Sequence, residues 1–262
     1  MSCQIKTHEN CKITFFFPKN ARVSVKENEE VRKDTTLVSY DEETFFECDL
    51  AASLEISPKD VKKYLLVSLP SKIEKDQLIA SKKTFMGEDK MINSPVSGEI
   101  TELTDGGILK IRTKNDKKEL KAPFLGKILE IGDIFLTLEF KASVIEGQEG
   151  CGKETLGELE IIGEREKEPV IGGLDSLLAG KILLIGGVLN QGLVHKAETL
   201  GVKGLVAGKG AISLRSEEMP IISIESDKGL IPLDIWQYLL KNKGMLICLY
   251  GKEKLIAFPQ EG

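Results

Sequence analysis

Long apolar runs are missing. No stretch approaches the roughly 20 apolar residues that a membrane-spanning helix needs, so no membrane is expected as a partner. Histidine is scarce: His8 and His195 are the two in 262 residues. That leaves few parts for histidine-based phosphotransfer or a histidine-rich metal centre. The cysteines are five and scattered, at Cys3, Cys11, Cys48, Cys151 and Cys248. An odd number without paired spacing is not a disulfide framework. Cys3, His8, Cys11 and Cys48 form a weak candidate metal set. Their spacing fits no common zinc pattern, in which paired cysteines sit about two to four residues apart. Reduced thiols are the plainer expectation, with no metal and no cofactor. A basic excess is absent too, because 36 Lys and Arg face 41 Asp and Glu for a net charge of -5. The chain therefore has no overall pull toward nucleic acid or anionic membrane. The opening "MSCQIKTHENCKITFFFPKN" has no positive segment followed by an apolar core and cleavage site. No signal peptide is read there, and the cytoplasm is the expected compartment.

What is present describes a globular chain with real cores, since 41% of residues are apolar and 29% charged. The length suits one large or two ordinary domains. The first 149 residues carry internal repeats. "SPVSGEITEL" from Ser94 matches "APFLGKILEI" from Ala122, pairing Pro95 with Pro123, Gly98 with Gly126 and Ile100 with Ile128. "EEVRKDTTLVSY" matches "SKIEKDQLIASK", pairing Val31 with Ile73, Lys33 with Lys75, Asp34 with Asp76 and Leu37 with Ile79. Each first segment reads as strand, glycine bend, strand, and each second as turn and alternating strand. The order predicts a pseudo-symmetric β body.

A helical insert is expected near residues 49–65, with Ser57 as N-cap, Pro58 in the first turn and Val61, Tyr64 and Leu65 on one stripe. "DLAASLEISPKDVKKYL" resembles a helix-turn-helix, but Lys59, Lys62 and Lys63 are few basic contacts for DNA. "EGQEGCGKE" reads as a linker or long turn and "GEREKEP" as a charged break. An α/β pattern then fills residues 150–262. "GKILLIGGV", "KGLVAG", "MPIISIE", "MLICLYG" and "KLIAFP" read as strands. "NQGLVHKAETLG" and "PLDIWQYLLKNKG" read as helices closed by Gly201 and Gly244. The expected fold class is α+β.

"SPVSGEI", with "VSVKENEEVRKDTTL" from Val23, resembles the barrel-sandwich hybrid family of biotinyl and lipoyl domains. The resemblance implies a hairpin tip at Gly87, eleven residues before Gly98, where relatives carry the modified lysine. Here Met86, Gly87 and Glu88 stand there, and Lys83 and Lys90 lie on the arms. "DKM" at Asp89–Met91 is out of place by three residues. The hairpin is read as structural, with Phe85, Met86 and Gly87 as candidate interface residues. The stretch Ala179–Gly251, through "GKILLI", "KAETLGVKGLVAG" and "MPIISIESDKG", resembles protease-associated swivelling domains, which implies an interaction module.

The loop "IGGVLNQG" is a weak anion site: Gly186, Gly187, Asn190, Gln191 and Gly192 precede a helix whose amides can face an anion. Asn190 as N-cap explains it equally. His195 has no nucleophile near it in sequence. Cys151 has glycine and lysine neighbours that favour thiolate, although a linker cysteine needs no such role. "FFF" at Phe15–Phe17 reads as core or interface, and "NDKKELK" as a basic loop suited to an acidic partner. The expected function is a non-catalytic cytoplasmic binding, scaffold or accessory-subunit protein whose partner is another protein. Alternatives are a carrier or enzyme accessory binding a small anion at 185–192, and a transcription or nucleic-acid accessory protein.

Overall fold

The structure is a computed structural model that describes residues 5–83, 89–167, 172, 174–209, 216, 218–224 and 229–260, with the side chains of 114 and 115 left aside. In chain order, β1 (Ile5–Phe16), β2 (Arg22–Val23), β3 (Glu30–Val31) and β4 (Thr36–Asp49) lead into α1 (Leu50–Leu54) and a 3-10 turn (Pro58–Lys63). Next come β5 (Ser71–Ile73), β6 (Leu78–Lys82), β7 (Lys90–Asn93), β8 (Gly98–Leu103) and β9 (Ile108–Lys121). They are followed by β10 (Gly126–Ile131), β11 (Phe135–Glu146), β12 (Glu149–Cys151) and β13 (Glu154–Ile162). The chain closes with β14 (Lys181–Val188), α2 (Gln191–Thr199), β15 (Gly204–Lys209), β16 (Ile221–Ser223), α3 (Leu233–Lys241), β17 (Leu246–Tyr250) and β18 (Leu255–Pro259). The fold is mostly β with a few helices, an α+β class.

Two compact units emerge. One comprises Met1–Lys19, Ser24–Val38 and Lys121–Gly262; the other comprises Asn20–Val23 and Ser39–Leu120. The boundary expected after residue 149 lies inside the first unit. The reason is β11, which runs on unbroken and pairs Ala142 to Glu146 with β18. Among the described residues the first unit's sheet has the order β12-β16-β15-β14-β13-β17-β18-β11-β10-β3, with β1 also on β11.

Strands β13 to β16 are parallel, and β14, β15 and β16 are buried on both faces, which is why those three read as continuous apolar runs. Ile182 and Leu184 join the core under α3, while Leu183 and Ile185 join the core under α2. Gly201 and Gly244 take φ of 75° and 82° just past the two helices, as their sequence positions predict. "EGQEGCGKE" is no linker: β12 pairs with β16. Its glycines serve close packing, since a Cβ at Gly150 would lie 2.2 Å from the Gly251 carbonyl oxygen. On β13 and β14 a charge network forms. Glu160 meets Lys243 at 2.7 Å and Lys181 at 3.1 Å, and Lys181 reaches Glu158 at 3.4 Å.

The second unit holds a sheet of order β2-β4-β9-β8-β5 and the β6–β7 pair. The segment that resembles a helix-turn-helix, where a helical insert is expected near residues 49–65, forms one short helix and a 3-10 turn. Helix α1 is five residues long, capped by Asp49 accepting from the Ala52 N–H, and Glu55 then turns left-handed at φ 51°. The following segment is a 3-10 turn. Both lie tight over Gly107, where a Cβ would come 2.7 Å from Ala51 Cβ and 3.0 Å from Val61 Cγ2. The Lys82 ammonium donates to the Leu54 carbonyl at 3.1 Å, tying the helix C-terminus to the hairpin. "NDKKELK" is not a loop but the second half of β9, where Lys118 pairs with Glu42 at 3.4 Å.

The internal repeat is real down to single hydrogen bonds. Asp34 and Asp76 both take a left-handed φ of 66°. The Asp34 N–H donates to Ala122 O at 2.8 Å, and the Asp76 N–H to Ser94 O at 2.7 Å. Ala122 N donates to Thr35 O and Ser94 N to Gln77 O, both at 2.8 Å. Val31 pairs with Gly126, and Ile73 with Gly98. Both ladders bulge at the same step, after Ile128 and after Ile100. A Cβ at Gly126 would lie 2.6 Å from Glu139 O, and one at Gly98 2.3 Å from Arg112 O. The two copies are nested. The outer copy is interrupted in the chain after Val38 and resumes near Glu119, and the inner copy, about 65–112, is inserted at the point matching its own β6–β7 hairpin.

These close approaches predict that Gly98→Ala and Gly126→Ala each destabilise the protein by about 1–3 kcal/mol. Gly106→Ala, which meets only Thr104 Oγ1 at 3.6 Å, is the neutral control. Urea midpoints check this, and equal midpoints for all three variants would contradict it.

Candidate functional site

The β6–β7 hairpin is built so that one face feeds a core and the other meets solvent. Leu65 and Val67 pack on the core of the second unit, with Leu54, Ile79 and Ala80. Leu66, between them, turns outward and is 57% exposed. Its N–H donates to Ile79 O at 2.9 Å, which lays this segment beside β6. Ile92 packs inward on β7, and Met91 turns outward at 63% exposure. Leu78 pairs with Asn93, two residues from Met91, so Leu78 and Met91 share the outer face. Phe85, Met86 and Gly87 lie outside the described residues.

The outer copy provides the comparison. Its Ser24 N–H donates to Leu37 O at 2.8 Å, as Leu66 does to Ile79. In register, Leu66, Leu78 and Met91 correspond to Ser24, Thr36 and Glu119. The neighbouring positions match in kind: buried Leu37 with buried Ile79, buried Val25 with half-buried Val67, and half-buried Leu120 with half-buried Ile92. The matched positions are therefore polar in the sequence of one copy and apolar in the other. Sequence reading overlooked this face, though the repeat alignment contained the signal.

The 185–192 loop sits at the end of β14, ahead of α2. Asn190 accepts from the Leu193 N–H at 2.9 Å, an ordinary N-cap. Gly186 answers a close chain crossing, because a Cβ there would lie 2.2 Å from Glu164 O. Gly187 lies within β14, and Gln191 and Gly192 begin α2. The Gln191 amide meets His195 Nε2 at 3.0 Å on the exposed side of the helix. His195 Nδ1 lies 3.6 Å from Glu198.

Of the candidate metal set, Cys3 lies outside the described residues. His8 and Cys11 lie on β1 in the first unit, and Cys48 lies in the second. Among the described residues no three His, Cys, Asp or Glu side chains converge as metal ligands. Burial pushes the Cys11, Cys48 and Cys248 thiols up, away from reactive thiolate. Tyr250 donates its hydroxyl to Lys12 O at 2.7 Å. "FFF" splits by strand alternation: Phe17 is buried and Phe16 is 73% exposed. Among the described residues no helix is long and apolar enough to cross a membrane. Comparison of the chain with protein-family models, curated proteins and solved structures returned no match.

The strongest electrostatic feature is structural. Hydrogen bonds from Lys243, then the Ile161 N–H and Lys181, hold the Glu160 carboxyl at about 2, against the cost of its burial. A depressed folded value contributes stability in full above the unfolded carboxylate range, and that stability is lost as pH falls through the folded value. Glu160→Gln should therefore lower stability at neutral pH and flatten the acid limb of the stability profile between about pH 5 and pH 2. Parallel wild-type and variant profiles in that window would contradict this.

Proposed function

We propose that the chain is a non-catalytic binding or accessory-subunit protein that engages a partner protein through the outer face of the β6–β7 hairpin. One observation carries this reading: Leu66, Leu78 and Met91 are exposed and apolar where the outer copy has Ser24, Thr36 and Glu119. The outer copy supports polar residues on the same backbone, so stability of the module does not require the apolar ones. Exposed apolar side chains gathered on one face mark interaction surfaces. The likeness to barrel-sandwich hybrid domains belongs to the same proposal and is supported by the paired half-modules and the hairpin. So does the likeness of the α/β part to swivelling interaction domains. The expected setting is the cytoplasm.

Covering three partly exposed apolar side chains contributes on the order of 1 kcal/mol each, so losing all three weakens binding about 100-fold. The test exchanges the residues of one copy for those of the other. Leu66→Ser, Leu78→Thr and Met91→Glu together should preserve circular dichroism and urea cooperativity. In purifications from the native host, the stoichiometric partner of the wild-type chain should be absent from the triple variant. Recovery of that partner by a folded triple variant would refute the hairpin interface.

A further inference from the structure

The first unit contains a second surface with a different chemistry. Strand β11 gives one edge first to β10, through Lys127 opposite Glu139, and then to β18, from Ala142 opposite Pro259. Gln260 N donates to Lys141 O at 3.0 Å just where the two diverge. A cleft of about 1140 Å³ opens in this fork, bordered by Arg32, Lys33, Leu125, Met245 and Gln260. It continues into a smaller one of about 380 Å³ that shares Glu30, Leu125 and Gln260 with it. Small-molecule pockets usually hold about 300–1,000 Å³. This one is slightly larger and open to solvent.

Most of its charges are balanced. Lys141 meets Glu9 at 2.5 Å. Glu30 stands opposite Lys127 across the β3–β10 pair, and Glu139 stands between Lys12 and Lys127. Arg32 and Lys33 are exposed at one end, and among the described residues neither belongs to an ion pair. The inner copy again serves as the reference. It has Glu74 and Lys75 in place of Arg32 and Lys33, a neutral pair. It has Ser97 in place of Leu125, and the Ser97 hydroxyl closes onto the Lys75 N–H at 2.9 Å. The outer copy leaves that place open, with Leu125 41% exposed.

We propose that this cleft binds an extended, carboxylate-bearing segment of a protein partner. Strand β3 is the terminal strand of its sheet among the described residues, and an edge strand offers main-chain hydrogen bonds to an added strand. Arg32 and Lys33 are complementary to a carboxylate on that strand. Leu125 and Met245 receive an alternate apolar side chain. The chain's overall negative charge adds no general attraction for such a ligand, so its affinity comes from the local pair.

The probe is a fluorescein-labelled octapeptide of alternating leucine and aspartate, read by fluorescence anisotropy against a control peptide with asparagine for aspartate. The full chain should bind the aspartate peptide at least tenfold more tightly than the control. Arg32→Glu and Leu125→Ser install the inner copy's residue types, which that copy folds with. Arg32→Glu should weaken binding at least tenfold and Leu125→Ser at least threefold. The hairpin triple variant should bind the peptide as the wild type does, which separates this site from the hairpin reading. Equal binding of the two peptides, no binding up to about 1 mM, or indifference to Arg32→Glu would overturn the proposal. Displacement by succinate at matched carboxylate concentration would also overturn it, because the site would then take a small dianion.

Discussion

At two places in this chain a strand begins so close to its neighbour that a side chain has no room. Gly98 starts β8 against the carbonyl of Arg112, and Gly126 starts β10 against that of Glu139. Much else follows from this contact. The preceding proline can approach in extended form, the bulge two residues later restores the pleat, and Ile100 and Ile128 reach full burial. Ser94 and Ala122, also buried, are brought within reach of Gln77 and Thr35. The left-handed aspartates close the turn on the other side. Any larger residue at either glycine would displace a ladder carbonyl from its own hydrogen bonds, and an unmet buried carbonyl costs about 1–3 kcal/mol.

Because the constraint occurs twice, each copy is a reference for the other. Positions that point inward agree in chemistry, as Val31 does with Ile73 and Leu37 with Ile79. Among the exposed positions, Lys33 and Asp34 match Lys75 and Asp76, but a few others differ in character. The inner copy is apolar at its hairpin positions Leu66, Leu78 and Met91, and the outer copy has Arg32 and an open Leu125 where the inner one has Glu74 and Ser97. Packing accounts for the agreements. The differences are where function is sought, and they concern two surfaces of opposite character, one apolar and one cationic.

Local signals reported what they physically encode. Strand alternation, the Gly201 and Gly244 helix ends and the Asn190 cap were legible because each depends on a few neighbouring residues. The repeat was legible because close backbone approach tolerates only glycine at Gly98 and Gly126. The misreadings have a common cause in non-local packing. The segment around β12 looked like a linker because Gly150 and Gly152 serve contacts with Gly251 and Met219, far away in sequence. The "DLAASLEISPKDVKKYL" segment looked like two helices, but Gly107 and the Lys82 ammonium hold it as one short helix and a 3-10 turn. The two sides of residue 149 belong to one unit because β11 pairs with β10 in one half and with β18 in the other, which no local signal reports. Leu66 and Met91 gave no signal alone, since single exposed apolar residues are commonplace, and became informative only beside Ser24 and Glu119.

Two equivalent modules nested in one chain should both be visible to residue-resolved amide hydrogen exchange of the intact protein. The matched amides are Asp34 with Asp76, Ala122 with Ser94, and Ser24 with Leu66, all hydrogen-bonded in the same way. Both members of every pair should exchange far more slowly than in an unstructured chain. Protection of one copy's amides with free exchange of the other's would mean that the second module is not formed, and the comparison between copies would fall with it.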